Sequence, residues 1–139
     1  MPKIFRVMKL HDGCPKVATE GSCLGVRVPD DIRPDNEGFV IPCGDGLSVN
    51  RSISDLPFMY VPKKYKAIAV GAKGNNSSSI WRHGDGPFEN SKIDDRLSLH
   101  CATPVKGLVQ PRTKMQIADF QLALAGTRQN WSEVPYGDQ

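Results

Sequence analysis

The sequence predicts an α+β domain in which several short strands dominate and a single long helix comes late. Three observations carry this. The 13 glycines and 11 prolines are spread along the chain and cut it into short segments, which favours strands and loops over a helical bundle. Apolar and polar residues alternate in "IFRVMKL", "LSVNRSIS" and "RLSLHCATPV", the pattern of strands with one buried face. Only "TKMQIADFQLALAGTRQNW" repeats its apolar residues at helical spacing. A chain of 139 residues makes one domain, 1–139, able to bury roughly two thirds of the surface it exposes unfolded.

Taken in order, residues 4–10 form a strand with Ile4, Arg6 and Met8 on one face and Phe5 and Val7 on the other. A loop, "HDGCPKVATEGSC", a short apolar piece, "LGVRV", and a second loop, "PDDIRPDNEG", follow; the second is rich in turn formers. "FVIP" is a short strand. "LSVNRSIS" is another, setting Leu47, Val49, Arg51 and Ile53 against a wholly polar face of Ser48, Asn50, Ser52 and Ser54. Residues 65–73, "YKAIAVGAK", read as a buried strand, and "GNNSSSIWRHGDGPFENSKIDD" as mostly loop with a hairpin-like "HGDG". In 96–105, Leu97, Leu99 and Cys101 share a face opposite Ser98, His100 and Ala102. The helix starts with a capping box, Thr113 to Gln116, and its apolar face is Met115, Ala118, Leu122 and Ala125.

Hydrophobic content of 39% and a mean hydropathy of -0.38 contain no apolar run of membrane-spanning length, so no membrane is expected as a partner. "MPKIFRVMKL" lacks the apolar centre and cleavage site of a signal peptide, so Sec-type export is not expected. Cys14, Cys23, Cys43 and Cys101 are irregularly spaced with no CxxC, giving neither a zinc pattern nor a disulfide framework. Free thiols are the expectation. A net charge of +3 tolerates nucleic acid or a phosphate-bearing ligand without requiring either.

The chemistry-bearing candidates are few. "GAKGNNSSS" (71–79) has the residue types of a phosphate loop, but its lysine and serine do not follow the second glycine as a P-loop needs. There is no GxGxxG and no GxSxG. His11 and His83 lie in apparent loops, where histidines are solvated. His100 lies on a strand beside Ser98 and either orients a hydroxyl-bearing ligand or bonds a backbone carbonyl. Arg6, mid-strand among apolar neighbours, needs a partner for its fork of donors: an internal Asp, or the phosphate of a ligand.

Three stretches in order, "IFRVM", "DGLSVNRSIS" and "RLSLHCATPVKGLVQPRTKMQIADFQLALAGTRQNW", resemble the small toxins related to type VI secretion exported effector 2. The likeness covers about half of the chain, and order and spacing carry it. It implies an ADP-ribosyltransferase-like fold and NAD as substrate, with Arg6 contacting its phosphate or ribose. It also makes Ser48 and Val49 the family's functional pair, and His100 the histidine before the final helix. With that, Arg6, Ser48 and His100 are the expected catalytic residues, and Tyr60 or Phe58 offers a ring for nicotinamide. Where many ADP-ribosyltransferases carry a catalytic Glu, "SLHCATPVKGLVQPR" has no carboxylate, and Gln110 is the nearest polar group. The resemblance further implies a cognate immunity or antitoxin protein and export that needs no signal peptide. A metal-independent ribonuclease toxin, or a non-enzymatic module binding protein or nucleic acid, are the alternatives.

Overall fold

The computed structural model describes residues 1–42 and 44–137; Cys43 lies outside them, and Cys14, Cys23 and Cys101 are free thiols. The elements are β1 (Ile4–His11), β2 (Cys14–Pro15), β3 (Phe39–Val40), β4 (Leu47–Asn50), β5 (Ser78–His83), β6 (Ser91–Lys92) and β7 (Leu97–Cys101). After these come β8 (Lys106–Pro111), β9 (Met115–Gln116), α1 (Ile117–Ala125) and β10 (Trp131–Glu133). The main sheet runs β10-β5-β1-β4-β8-β7-β6, with β2 paired to the end of β1, and β3 pairs with β9 apart from it. This is an α+β fold dominated by sheet, with its helix late in the chain.

β1 is buried on both faces rather than one, because a core lies against each side of it. Ile4 and Met8 join Leu47, Val49, Trp81, Leu97, Leu99 and Val109 in a core covered by α1 through Phe120, Ala123 and Leu124. Phe5, with Ile80, meets a second core made by Leu56, Val61, Tyr65, Ala69 and Ala72. At the centre of this second core, the Tyr65 hydroxyl donates to the Val134 carbonyl at 2.7 Å and accepts the Ile80 N–H at 3.1 Å. Burial pushes its pKa up to about 12.

Several segments differ from their sequence pattern. Residues 65–73 are not a strand: a 3-10 turn at Lys63–Tyr65 opens a run of turns in which Tyr65, Ala69 and Ala72 are buried while Ile68 and Val70 are exposed. The alternation of small and β-branched residues there serves a compact turn with one inward side. Conversely, Ser78–His83, read as loop, is β5, paired with β1 over six residues. Ser78 and Ser79 are buried, and the Ser79 hydroxyl is satisfied there by donating to Glu133 on β10 at 2.6 Å. "HGDG" makes no hairpin: Gly86 pairs with Pro2 across a parallel bridge. "LSVNRSIS" stays extended only through Asn50, giving way to a 3-10 turn at Ile53–Asp55; the apolar piece "LGVRV" sends Leu24 and Val26 into the first core.

The helix is shorter than predicted, and its capping box does not form. Met115 and Gln116 pair with Val40 and Phe39, so the chain is still extended where Thr113 would cap, and the first helical N–H, that of Ile117, donates to the Gly38 carbonyl at 2.8 Å. The buried face is Phe120, Ala123 and Leu124, while Leu122 is exposed. At the far end the Thr127 hydroxyl donates to the Leu124 carbonyl at 2.7 Å and accepts the Trp131 indole N–H at 2.9 Å. These two bonds satisfy an end carbonyl and turn the chain into β10.

His83 is also not solvated. It is buried beside Trp131, ring centroids 5.2 Å apart, and neither ring nitrogen has a partner among the described residues. Burial lowers its pKa, against the attraction of Asp94 and with the repulsion of the N-terminal amine. The unfolded chain titrates this histidine at about 6.5 and so takes up protons before the folded chain does. Stability is then full above that pH and is lost as pH falls through it toward the lower native value. Urea midpoints should drop between about pH 7.5 and about pH 5, and His83→Leu should remove most of that drop. An equal drop in the variant would assign the effect to other groups.

Candidate functional site

The sheet opens between its two halves. β1 lies against β5 for six residue pairs but meets β4 at the single pair Phe5 and Asn50 among the described residues. Where two strands part, their carbonyls need other donors. Arg6 provides them: Nη1 donates to the Ser48 carbonyl at 2.8 Å and Nη2 to the Cys23 carbonyl at 3.1 Å. One guanidinium thus ties β1, β4 and the 21–31 loop together at the floor of a cleft of about 370 Å³, a size suited to a small ligand.

Each wall is held by polar side chains. On one side, Gln121 of α1 donates through Nε2 to the Val26 carbonyl at 2.8 Å and accepts the Val26 N–H at 3.0 Å. Next to Val26, Arg27 grips Asp31 with Nε at 3.2 Å and Nη2 at 3.1 Å, and its backbone N–H donates to the same carboxylate at 2.7 Å. The Asp31 carbonyl in turn accepts the N–H of Gly46, which leads into β4, at 3.1 Å. On the other side, Asn50 donates to the Asp55 carbonyl at 3.3 Å, and Ser52 donates to the Asp55 carboxylate at 2.7 Å. Those bonds set the turn that delivers Leu56, Pro57 and Tyr60 to the cleft lip.

The cleft is cationic. Arg6, Arg27 and Lys106 line it, and Asp31 is the one carboxylate among its lining residues. Burial pulls the Arg6 pKa down to about 10, opposed by the attraction of Asp31, so Arg6 keeps its charge at neutral pH. Burial alone would raise the Asp31 carboxyl, but the hydrogen bonds from Arg27 and the charges of Arg27 and Arg6 outweigh it and hold the group below the usual carboxylate range. Arg27 is shifted upward, chiefly by its side-chain bond to Asp31. Polar, cation-rich walls of this kind suit an anion carrying several oxygen acceptors.

The sequence-predicted residues distribute unevenly. Arg6, Ser48 and Tyr60 all line the cleft, although Arg6 takes backbone carbonyls rather than the Asp or ligand phosphate its position suggested. Val49 is fully buried in the first core and backs the cleft without reaching it. His100 does not line the cleft: the register runs Ser48 to Leu108 and Leu108 to His100. Two strand spacings, roughly 10 Å, therefore separate serine from histidine on the same sheet face. Phe58 is exposed outside the cleft. Gln110, across from Ser98, has a buried Oε1 with no partner among the described residues. Arg27, Asp31 and Lys106 were not foreseen. The i, i+4 spacing of Arg27 and Asp31 is their only trace in the sequence, and an ion pair at that spacing is ordinary.

No family model, no curated protein and no solved structure matches this chain.

Proposed function

We propose that the chain is an ADP-ribosyltransferase-like toxin that binds NAD in the cleft between β1 and β4, acts in the cytoplasm and is neutralised by a cognate immunity or antitoxin protein. The observation that carries this reading is the meeting of Arg6 and Ser48, 42 residues apart, on the floor of a cleft whose other charges are Arg27, Lys106 and Asp31. The residues suit the ligand. A pyrophosphate needs cations and N–H donors, which Arg27 and Lys106 supply at the walls, over the charge of Arg6, whose fork is committed to the Ser48 and Cys23 carbonyls; ribose hydroxyls need small polar partners, which Ser48, Asn50 and Ser22 supply; and a flat ring needs an aromatic face, which Tyr60 supplies at the lip.

In the transfer, the bond between ribose C1′ and nicotinamide breaks with its electron pair leaving on nicotinamide, and an acceptor nucleophile bonds to C1′ and sheds its proton. Positive charge builds on the ribose, so the useful protein groups fix it and keep negative charge close. Asp31 is the carboxylate of the cleft, and Arg27 keeps it ionised. His100, two strands away, has no contact with NAD in this reading.

The test is tightly controlled expression in a bacterium, with nicotinamide release from NAD measured on the purified chain. Wild type should stop growth and release nicotinamide, Ser48→Ala should lose at least about tenfold in rate, and His100→Ala should bind NAD within about twofold of wild type. Harmless expression with intact NAD would overturn the reading. Degraded RNA with intact NAD would replace it with the ribonuclease.

A further inference from the structure

The net positive charge of this protein is carried by one stretch. Residues 56–84 hold Lys63, Lys64, Lys66, Lys73 and Arg82 and contain no Asp or Glu. Their +5 exceeds the +3 of the whole chain, so the remainder is net negative.

Residues 57–74 of that stretch form a lobe with two unlike sides. Its inner side buries Val61, Tyr65, Ala69 and Ala72 on the sheet. Backbone bonds close it: Lys73 N–H to the Phe58 carbonyl at 3.0 Å, Gly74 N–H to the Val61 carbonyl at 2.7 Å, and Lys63 N–H to the Gly74 carbonyl at 3.2 Å. The Phe58 ring packs over Gly71, so close that a side-chain carbon there would meet it at 3.1 Å. The rest of the lobe's large apolar residues are turned out. Val70 is 89% exposed, Met59 65%, Tyr60 58%, Phe58 49% and Ile68 44%, among the exposed lysines Lys63, Lys66 and Lys73.

We infer that this lobe is a contact surface for an anionic lipid bilayer. Five large apolar side chains left in water on one short lobe, with cations between them, mark an interaction surface rather than ordinary scatter. A nucleic acid matches the lysines but gives Val70, Met59 and Ile68 nothing to enter, because aliphatic side chains do not stack as rings do. A bilayer interface takes both: the aliphatic groups enter the boundary of the acyl chains while lysines stay among negatively charged headgroups. The contact is peripheral, since no helix among the described residues is long and apolar enough to cross a membrane. The expectation of no membrane partner rested on spans, and a surface lobe of this kind leaves no such run. Tyr60, which belongs both to the lobe and to the cleft lip, sets the cleft mouth beside the membrane-facing surface.

The experiment is co-sedimentation of the full chain with large vesicles of phosphatidylcholine alone, or of phosphatidylcholine mixed with phosphatidylglycerol. Wild type should pellet with the anionic vesicles and not the neutral ones, and added salt should release it, because the headgroup attraction is screened. The double variants Met59→Asp/Val70→Asp and Lys66→Glu/Lys73→Glu should each lower the partition coefficient about tenfold or more. Their thermal midpoints should stay at the wild-type value, since these side chains are outside the cores. None of the four residues lines the cleft, so NAD binding stays unchanged in these variants and the membrane inference fails or stands apart from the proposed function. No pelleting with anionic vesicles, or equal pelleting by the variants, overturns it. It is also overturned if the lysine variant loses a fluorescent single-stranded oligonucleotide while keeping the vesicles, which would make the lobe a nucleic-acid surface.

Discussion

Replacing Arg6 with methionine is expected to weaken binding of NAD, and of AMP or pyrophosphate alone, about 10- to 100-fold, the range for losing hydrogen bonds from a charged donor. The side chain acts twice. It brings positive charge to the cleft floor, and its bonds to Ser48 and Cys23 hold the parted strands at their present spacing. Methionine keeps an unbranched stem on the face that Arg6 shares with Ile4 and Met8 but leaves two carbonyls unpaired, so a fall in thermal stability should accompany the lost affinity. Arg6→Lys separates the two effects. It retains the charge but cannot span both carbonyls with a planar fork, and should recover part of the affinity and little of the stability. Calorimetric titration and thermal unfolding of the three proteins measure this; wild-type affinity in Arg6→Met would remove Arg6 from the site and with it the main support for the phosphate reading.

Gly46→Val should cost about 1–3 kcal/mol of stability, the usual range for forcing atoms into filled space, and should reduce NAD binding as well. A side-chain carbon at Gly46 would collide with the Val109 carbonyl of the neighbouring strand. The same residue's N–H holds the Asp31 carbonyl at 3.1 Å, so any shift that relieves the clash also moves the cleft wall. Gly44 supplies the control, because a side chain there meets nothing within 4 Å and Gly44→Ala should be close to neutral. Urea unfolding and NAD titration of the two variants provide the comparison. Equal behaviour of the two would show that β4 tolerates displacement and that the Gly46 contact does not set the cleft.

Both predictions touch "GDGLSVN", one through the Ser48 carbonyl that Arg6 holds and one through Gly46, and the stretch shows how far local pattern reaches. Its alternation placed Leu47 and Val49 inside and Ser48 on the polar face, and the structure agrees because period-two alternation follows from strand geometry. The same holds for β1 and β7. Pattern failed where long-range pairing decided the matter. β5 is a strand because β1 and β10 flank it, although "SSS" favours turns. Residues 113–116 are not helical because Gln116 and Met115 are drawn into pairing with 39–40, and tertiary pairing overrides a local cap signal. His83 was read as solvated from the glycine and aspartate after it, yet β5 carries it inward.

The sequence by itself determined that this is an α+β domain, the sidedness of β1, β4 and β7, and the need of Arg6 for a polar partner, because each of these depends on neighbours within a few residues, whereas the role of Ser48 is what the family resemblance implies. Only the tertiary structure decided that those two side chains share a cleft while His100 stands two strands off. It alone brought Arg27, Asp31 and Lys106 to the same cleft, and turned the apolar residues of 57–74 outward. Which segments part and which pair is set by contacts between residues tens of positions apart, and no local periodicity encodes such distances.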